Sequence, residues 1–305
     1  MKEFDFEPLE FVDSFVVFLD VLGFSELVYS DNEDELQKIN FYFSIIEVYL
    51  GKLKGEIEDI NNELRNSEIS DDLLLKMDYI LISDSIIITI KMLKNNIIDI
   101  SEETKDNQQL QELYIELQKE YNRYNKACFG RLCEAIVQIQ KSLASLGIWV
   151  RGAITSGTTH ISTNKKQIVG KAYIDAYKLE AKANYPRVIL DKESIFDALG
   201  IQDEDEFMQS IPYIYNWGNA PFKKSMPLFL DYIYYVAVVC NDENRKLLKK
   251  IIENIISGYE NSKQKNYHDK FIWLVEYVSN CLERGDESYS NLLYELNYFD
   301  KKEQK

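Results

Sequence analysis

The sequence is poor in residues that staple or ligate. Its four cysteines (Cys128, Cys133, Cys240, Cys281) and two histidines (His160, His268) show no CxxC or CxxH spacing. That excludes a zinc ribbon or a disulfide framework, and they read as packing or surface residues in a reducing compartment. No apolar run approaches the length of about eighteen residues that a membrane-spanning helix needs. Met1 to Glu10 is acidic and lacks the apolar core and cleavage pattern of a signal peptide. Both observations predict a cytoplasmic protein. Positive charge is also short: the net charge is -16, which argues against a chain that wraps nucleic acid through its phosphates. Small anionic ligands stay open to it where a metal or a local basic cluster neutralises them. There is no internal repeat and no low-complexity tract.

What the chain has is apolar and aromatic mass. Of 305 residues, 46% are apolar, with 21 tyrosines and 15 phenylalanines, enough core for one large domain or two small ones. The densest stretch is FVVFLDVLGF, Phe15 to Phe24. Its β-branched and aromatic residues predict a strand buried on both faces. Asp20 falls where that strand meets a loop, and Gly23 lets the backbone turn there.

Downstream, Asp31-Asn32-Glu33-Asp34 predicts the cap of a helix carrying Leu36, Ile39, Phe43, Ile46 and Tyr49. Glu56 to Asp72 is polar and reads equally as a continuing helix or a loop. Lys76 to Ile90 holds two apolar runs around Ser83-Asp84-Ser85, the pattern of a hairpin. Ser101 to Asn107 reads as a surface linker, and Gln108 to Leu146 as a long helix broken near Gly130, with Gly147 as its C-cap. Ile148 to Ile154 predicts a strand and Thr155-Ser156-Gly157 a turn, after which Thr158 to Ser162 pairs with Gln167 to Val169. A helix over Ala172 to Tyr185 follows, stopped by Pro186, then a strand over Arg187 to Leu190. This order suits an α/β sandwich with a mixed or antiparallel sheet. Beyond it come a loop-rich stretch from Gly200 to Lys224 containing Pro212, Gly218 and Pro221, a strand over Phe229 to Val239, and helices over Asp242 to Gly258 and Tyr267 to Cys281.

Asp20 and Asp84 each end or interrupt a core strand. Two carboxylates in one apolar environment repel, so one is protonated or both share cations. With a backbone carbonyl such as that of Val21 they form an oxygen set suited to Mg²⁺ or Mn²⁺. The plain alternative is a turn residue or a helix cap at each position. Arg151, inside IWVRGAI, suggests a cation meeting an anion at the sheet edge; a salt bridge to one of the 51 acidic residues is the other reading. Lys171, Lys178 and Lys182 are candidates to reach phosphate, although lysines on a solvated helix are ordinary and Asp175 and Glu180 lie nearby. Gly170 could admit a phosphate to the helix that follows it.

FLDVLGF, SDS, VRGAITSG and GKAYIDAYKLE, in that order, resemble the class III nucleotidyl cyclases, and within them the bacterial pyrimidine cyclases of Pycsar anti-phage defence. The resemblance covers about residues 10 to 191, and HDKFIWLVEYVSN (His268 to Asn280) extends it. It implies a ferredoxin-like cyclase core, with a mixed or antiparallel sheet and added helices. One cyclase-type domain would span residues 1–305, with its core at about 10–200 and a C-terminal strand and helical extension at about 201–305. It implies a homodimer with active sites at the interface, and two divalent ions (Mn²⁺ or Mg²⁺) on Asp20, Asp84 and the Val21 carbonyl. Gly23, Phe24, Arg151 and Lys178 would meet the substrate, and Tyr49 or another aromatic of the first long helix would stack on or cap the base. The implied reaction converts UTP or CTP to the 3',5'-cyclic monophosphate and pyrophosphate, a messenger for a separate effector protein. There are departures: the ribose-positioning Asn and the transition-state Arg of the family align with Ile174 and Lys178, and a Lys linked to purine substrates aligns with Ile80. These argue for the pyrimidine branch over the purine one. A purine cyclase and a catalytically inactive nucleotide-binding sensor remain the alternatives.

Overall fold

A computed structural model describes residues 9–67, 69–93, 108–215 and 227–303. The expected linker Ser101 to Asn107, together with Gly218 and Pro221, lies outside the described residues. Strand β1 (Val12–Leu22) runs through the apolar stretch, followed by short helix α1 (Phe24–Val28) and long helix α2 (Glu33–Asn66). The Asn32 side chain accepts the Asp34 N–H at 2.9 Å, and three acids in the first turn face the positive end of the helix dipole. Tyr42, Ile46, Leu50, Leu53, Ile57, Asn61 and Leu64 form the buried stripe. Its steps of three and four persist to the end, which is why α2 continues through the polar Glu56 segment. The Asn61 amide then ties that end of α2 to the Leu75 N–H and C=O, both at 3.0 Å.

Strands β2 (Met77–Ile82) and β3 (Ser85–Lys91) form the expected hairpin. Helix α3 (Gln108–Ala144) passes through Gly130 unbroken, correcting the expected break. A mid-helix glycine costs about 1 kcal/mol, and the buried stripe from Cys128 to Leu143 outweighs that. Gly147, at φ 75, turns the chain after the helix. Strand β4 (Trp149–Ser162) runs straight through Thr155-Ser156-Gly157, where a turn was expected. It pairs with β1 from Trp149↔Leu22 to Thr159↔Val12, and Gly157 meets the strand geometry with φ 140. Then come β5 (Gln167–Gly170), α4 (Lys171–Ala183), β6 (Val188–Leu190), α5 (Lys192–Leu199) and α6 (Glu204–Ser210).

The sheet order β2-β3-β1-β4, with antiparallel neighbours, is the arrangement of a βαββαβ ferredoxin-like unit. On its far edge β4 carries two partners: β5 antiparallel along its last residues and β6 parallel at Gly152 to Ile154. Alternation along β1 divides the core. Phe15, Val17, Leu19 and Val21 join α2, α3 and the C-terminal helices in one large cluster. Val16 and Phe18 face the other way, where Ala172 and Ala176 of α4 cover them.

The expected strand over Phe229 to Val239 is a correction. Phe229 and Leu230 make isolated bridges to Ile189 and Ile214, but helix α7 (Tyr234–Val238) takes the rest. Buried Asp231 accepts the Ile233 and Tyr234 N–H groups at 3.2 and 2.9 Å, an Asx-type start that overrides β propensity. Helices α8 (Asp242–Ser262), α9 (His268–Glu283) and α10 (Ser290–Glu303) complete the chain. No helix among the described residues is long and apolar enough to cross a membrane.

Candidate active site at one end of the sheet

Period-two alternation puts Asp20 on the α4-covered face, in line with Val16 and Phe18. Register pairs it with Ser85 on β3 and Arg151 on β4. The β2–β3 turn is only Ser83 and Asp84, with Ser83 in the left-handed region at φ 56. A non-glycine residue there costs about 1 kcal/mol. This tight turn folds Asp84 against the end of β1, where the Val21 N–H donates to the Asp84 carbonyl at 3.1 Å. In extended backbone the N–H and C=O of one residue project to the same side, so the Val21 carbonyl also looks toward the turn. Burial pushes the Asp20 carboxyl above its ordinary value. The Arg151 guanidinium pulls it back, and the negative charge of Asp84 pushes it up again. The two carboxylates therefore meet electrostatically. Tyr42 feels both: burial, then Asp84 and Asp20, raise its phenol far above the ordinary value, and its buried hydroxyl has no hydrogen-bond partner among the described residues.

Arg151 sits between two acids. Its Nη2 donates to Asp20 Oδ2 at 3.3 Å, and its Nε meets Glu180 Oε1 of α4 as an ion pair without hydrogen-bond geometry. The side chains of Asp20, Arg151 and Glu180 are 22, 27 and 6% exposed, so this triad is shielded more than a surface pair. Burial raises the Glu180 carboxyl while Arg151 lowers it. The salt-bridge reading of Arg151 is thus the observed one, with an anion of the protein itself.

Gly23, at φ 74, ends β1 and caps α1, its carbonyl accepting the Glu26 N–H at 3.0 Å. Phe24 is buried and packs on Tyr42 with ring centroids 5.6 Å apart, so only its backbone faces the β1–α1 turn. Tyr49 is half-buried on α2 and reaches toward α3, its hydroxyl 3.1 Å from Ser142 Oγ, on the sheet face opposite to the Asp20 side chain. Lys178 is exposed on α4 beside Ile174 and Tyr177, themselves 46 and 56% exposed, on a different face of the helix from Glu180. Lys171 is held by Asp175 at 2.6 Å. The structure brings Asp20, Asp84, the Val21 backbone and Arg151 together and leaves Lys178 and Tyr49 outside.

Among the described residues no group of three or more His, Cys, Asp or Glu side chains is placed to hold a metal ion. The two carboxylates and the neighbouring backbone oxygens nonetheless fit a hard divalent cation, because the donor set is all oxygen and its negative charges repel until neutralised. Arg151 engages one oxygen of Asp20, leaving the other to a cation.

Two residues of this cluster escape a reading of the sequence. Glu180 carried a signal: it continues the Ala172, Ala176 spacing of four residues, the buried stripe of α4. Lys270, on α9, interacts electrostatically with Arg151, Asp20 and Glu180, and only tertiary structure brings it there.

No family model and no curated protein matches the sequence. Among solved structures the chain is similar to a bacterial light-regulated adenylyl cyclase, at 12% identity and a TM-score of 0.39, over 81% of this chain and 58% of that one. It is also similar to a class III adenylyl cyclase-like ATP-binding protein from Pseudomonas aeruginosa, at 9% identity and a TM-score of 0.34, over 68% of this chain and 39% of that one. The chain thus spans less than two thirds of the length of either structure, and likenesses this distant carry nothing about its chemistry.

Proposed function

We propose that the chain is a cytoplasmic, metal-dependent nucleotidyl cyclase acting on a pyrimidine nucleoside triphosphate. The observation that carries this reading is the meeting of Asp20 and Asp84 through the Asp20↔Ser85 register and the Val21–Asp84 backbone bond. That meeting occurs on a ferredoxin-like sheet, and the four motifs that resemble class III cyclases stand in order along it. In the reaction the ribose 3'-oxygen forms a bond to the α-phosphorus. The bond from that phosphorus to the oxygen bridging to the β-phosphate breaks, the hydroxyl proton passes to water, and pyrophosphate departs with the bond's electron pair. Asp20, Asp84 and the Val21 carbonyl would hold two Mn²⁺ or Mg²⁺ ions. Bound there, such ions lower the pKa of a hydroxyl and neutralise phosphate charge. Arg151 fixes the Asp20 carboxylate, opposes the upward shift that burial gives it, and places positive charge beside the reacting phosphate. Lys178 points outward from α4, so its route to a phosphate is the site of a second copy in a homodimer.

Ile174, Lys178 and Ile80 at the purine-associated positions favour UTP or CTP over ATP, and the cyclic product would serve as a messenger to a separate effector in anti-phage defence. Incubation with each of the four ribonucleoside triphosphates and Mn²⁺ tests this. Cyclic UMP or cyclic CMP with pyrophosphate is the expected result; product from ATP alone would make it a purine cyclase. One observation favours a second reading, a nucleotide-binding sensor without turnover: Arg151 already neutralises Asp20. That reading gives triphosphate binding with no pyrophosphate release from any of the four.

A further inference from the structure

The Asp20–Arg151 pair is not the last one on its sheet face. The next same-face pair along β1 and β4 is Leu22–Trp149, about 7 Å further on. Leu22 and Trp149 line a cavity of about 450 Å³ that also takes in Gly23 of the β1–α1 turn and Lys270 of α9, within the size range of small-molecule sites. The C-terminal helices build its far wall. The Phe271 ring meets Trp149 edge-on at 6.2 Å and lies where a side chain at Gly258 of α8 would stand. This contact sets Lys270 beside the start of β4, two residues before Arg151. The other lysine lining the cavity, Lys38, is held by Glu35 at 2.8 Å. The half-buried Lys270 ammonium has no hydrogen bond or ion pair among the described residues. Burial and the neighbouring guanidinium lower its pKa, while Asp269, Asp20 and Glu180 raise it.

We propose that this cavity receives the polyphosphate end of the substrate and that Lys270 binds it, so that the C-terminal helix pair supplies the phosphate-facing cation that α4 turns outward. The ligand's remainder, a nucleoside, rests on the cyclase reading; the phosphate contact does not. Leu22 and Gly23, which follow Asp20 and Val21 in the chain, line one wall of the cavity, and Lys270 lines it from α9.

Calorimetric titration of the full chain with inorganic tripolyphosphate in magnesium buffer tests the site without any turnover. Wild type should bind, Lys270→Met should lose tenfold or more, and Lys270→Arg should stay within about threefold. Lys249→Met, which removes an equivalent charge from the exposed face of α8, should match wild type. A second measurement needs no variant: tripolyphosphate should protect Lys270 from acetylation by acetic anhydride, read by mass spectrometry. Failure of wild type to bind tripolyphosphate, equal binding by Lys270→Met, or unprotected acetylation overturns the inference. Nucleotide turnover with an unaltered KM in Lys270→Met would sink it while leaving the cyclase reading standing. Lysine-dependent tripolyphosphate binding without turnover of any triphosphate would do the reverse.

Discussion

Arg151 bridges two shielded carboxylates, Asp20 and Glu180. Removing the guanidinium leaves Asp20 and Glu180 shielded and uncompensated, a mechanism that costs about 3 kcal/mol for a buried pair and less for one that water partly reaches. The pH dependence follows from the direction of the shifts. Both acids have folded values above their unfolded ones, so the folded state binds more protons in the window between them, and stability falls as pH rises through it. Without Arg151 both values rise further and the window widens upward. Arg151→Met should therefore lose about 2–3 kcal/mol at pH 8 and clearly less at pH 5, where the carboxyls take up protons. Urea unfolding at the two pH values measures this. An equal loss at both would show that the arginine acts by packing and not by charge.

At the scale of elements, placement depends on whether the cause is local. The β2–β3 hairpin, the cap of α2 and the α4 stripe are written in nearby residues: Asn32 caps its own helix, and two apolar runs flank one polar turn. The strand β4 was legible only in its first half, because Thr155-Ser156-Gly157 reads locally as a turn while eleven successive cross-strand pairs with β1 keep it extended. The segment after Phe229 misled for the opposite reason. Its apolar, β-branched residues suit a strand, but one buried carboxylate starts a helix. Asp231 Oδ1 accepts from Ile233, Tyr234 and the Tyr277 hydroxyl, the last at 2.7 Å. Asp231→Ala should leave the Tyr277 hydroxyl and the Tyr234 N–H without this acceptor and the Ile233 N–H with the Tyr277 oxygen alone, cost about 3 kcal/mol and lower the thermal midpoint by several degrees. A midpoint equal to wild type would remove Asp231 as the cause of α7.

Across the whole molecule the C-terminal helices share the core of the sheet. Tyr185 stacks on Trp273 at 5.5 Å, and Trp273 on Tyr277 at 5.0 Å, with Arg187 over Tyr185, Trp273 and Phe229. This aromatic block joins the end of α4 to α9 and thereby sets Lys270 near Arg151. The candidate site was readable where it hangs on strand ends: Asp20, Asp84 and Arg151 are neighbours by register. It was unreadable where it hangs on α9, and helical spacing alone could not say which sheet face α2 and its Tyr49 cover. The acidic surface, at net charge -16, repels a free triphosphate at long range, which cellular salt screens. It makes a bound divalent cation the central requirement of the account. Mn²⁺ titration by electron paramagnetic resonance, in the presence of 3'-deoxy-UTP, which lacks the attacking hydroxyl, tests that requirement directly. Wild type should remove free Mn²⁺ from solution at saturable sites, and Asp84→Asn, folded to the same circular dichroism spectrum, should lose that binding at least tenfold. Equal Mn²⁺ binding by the two proteins would contradict the account.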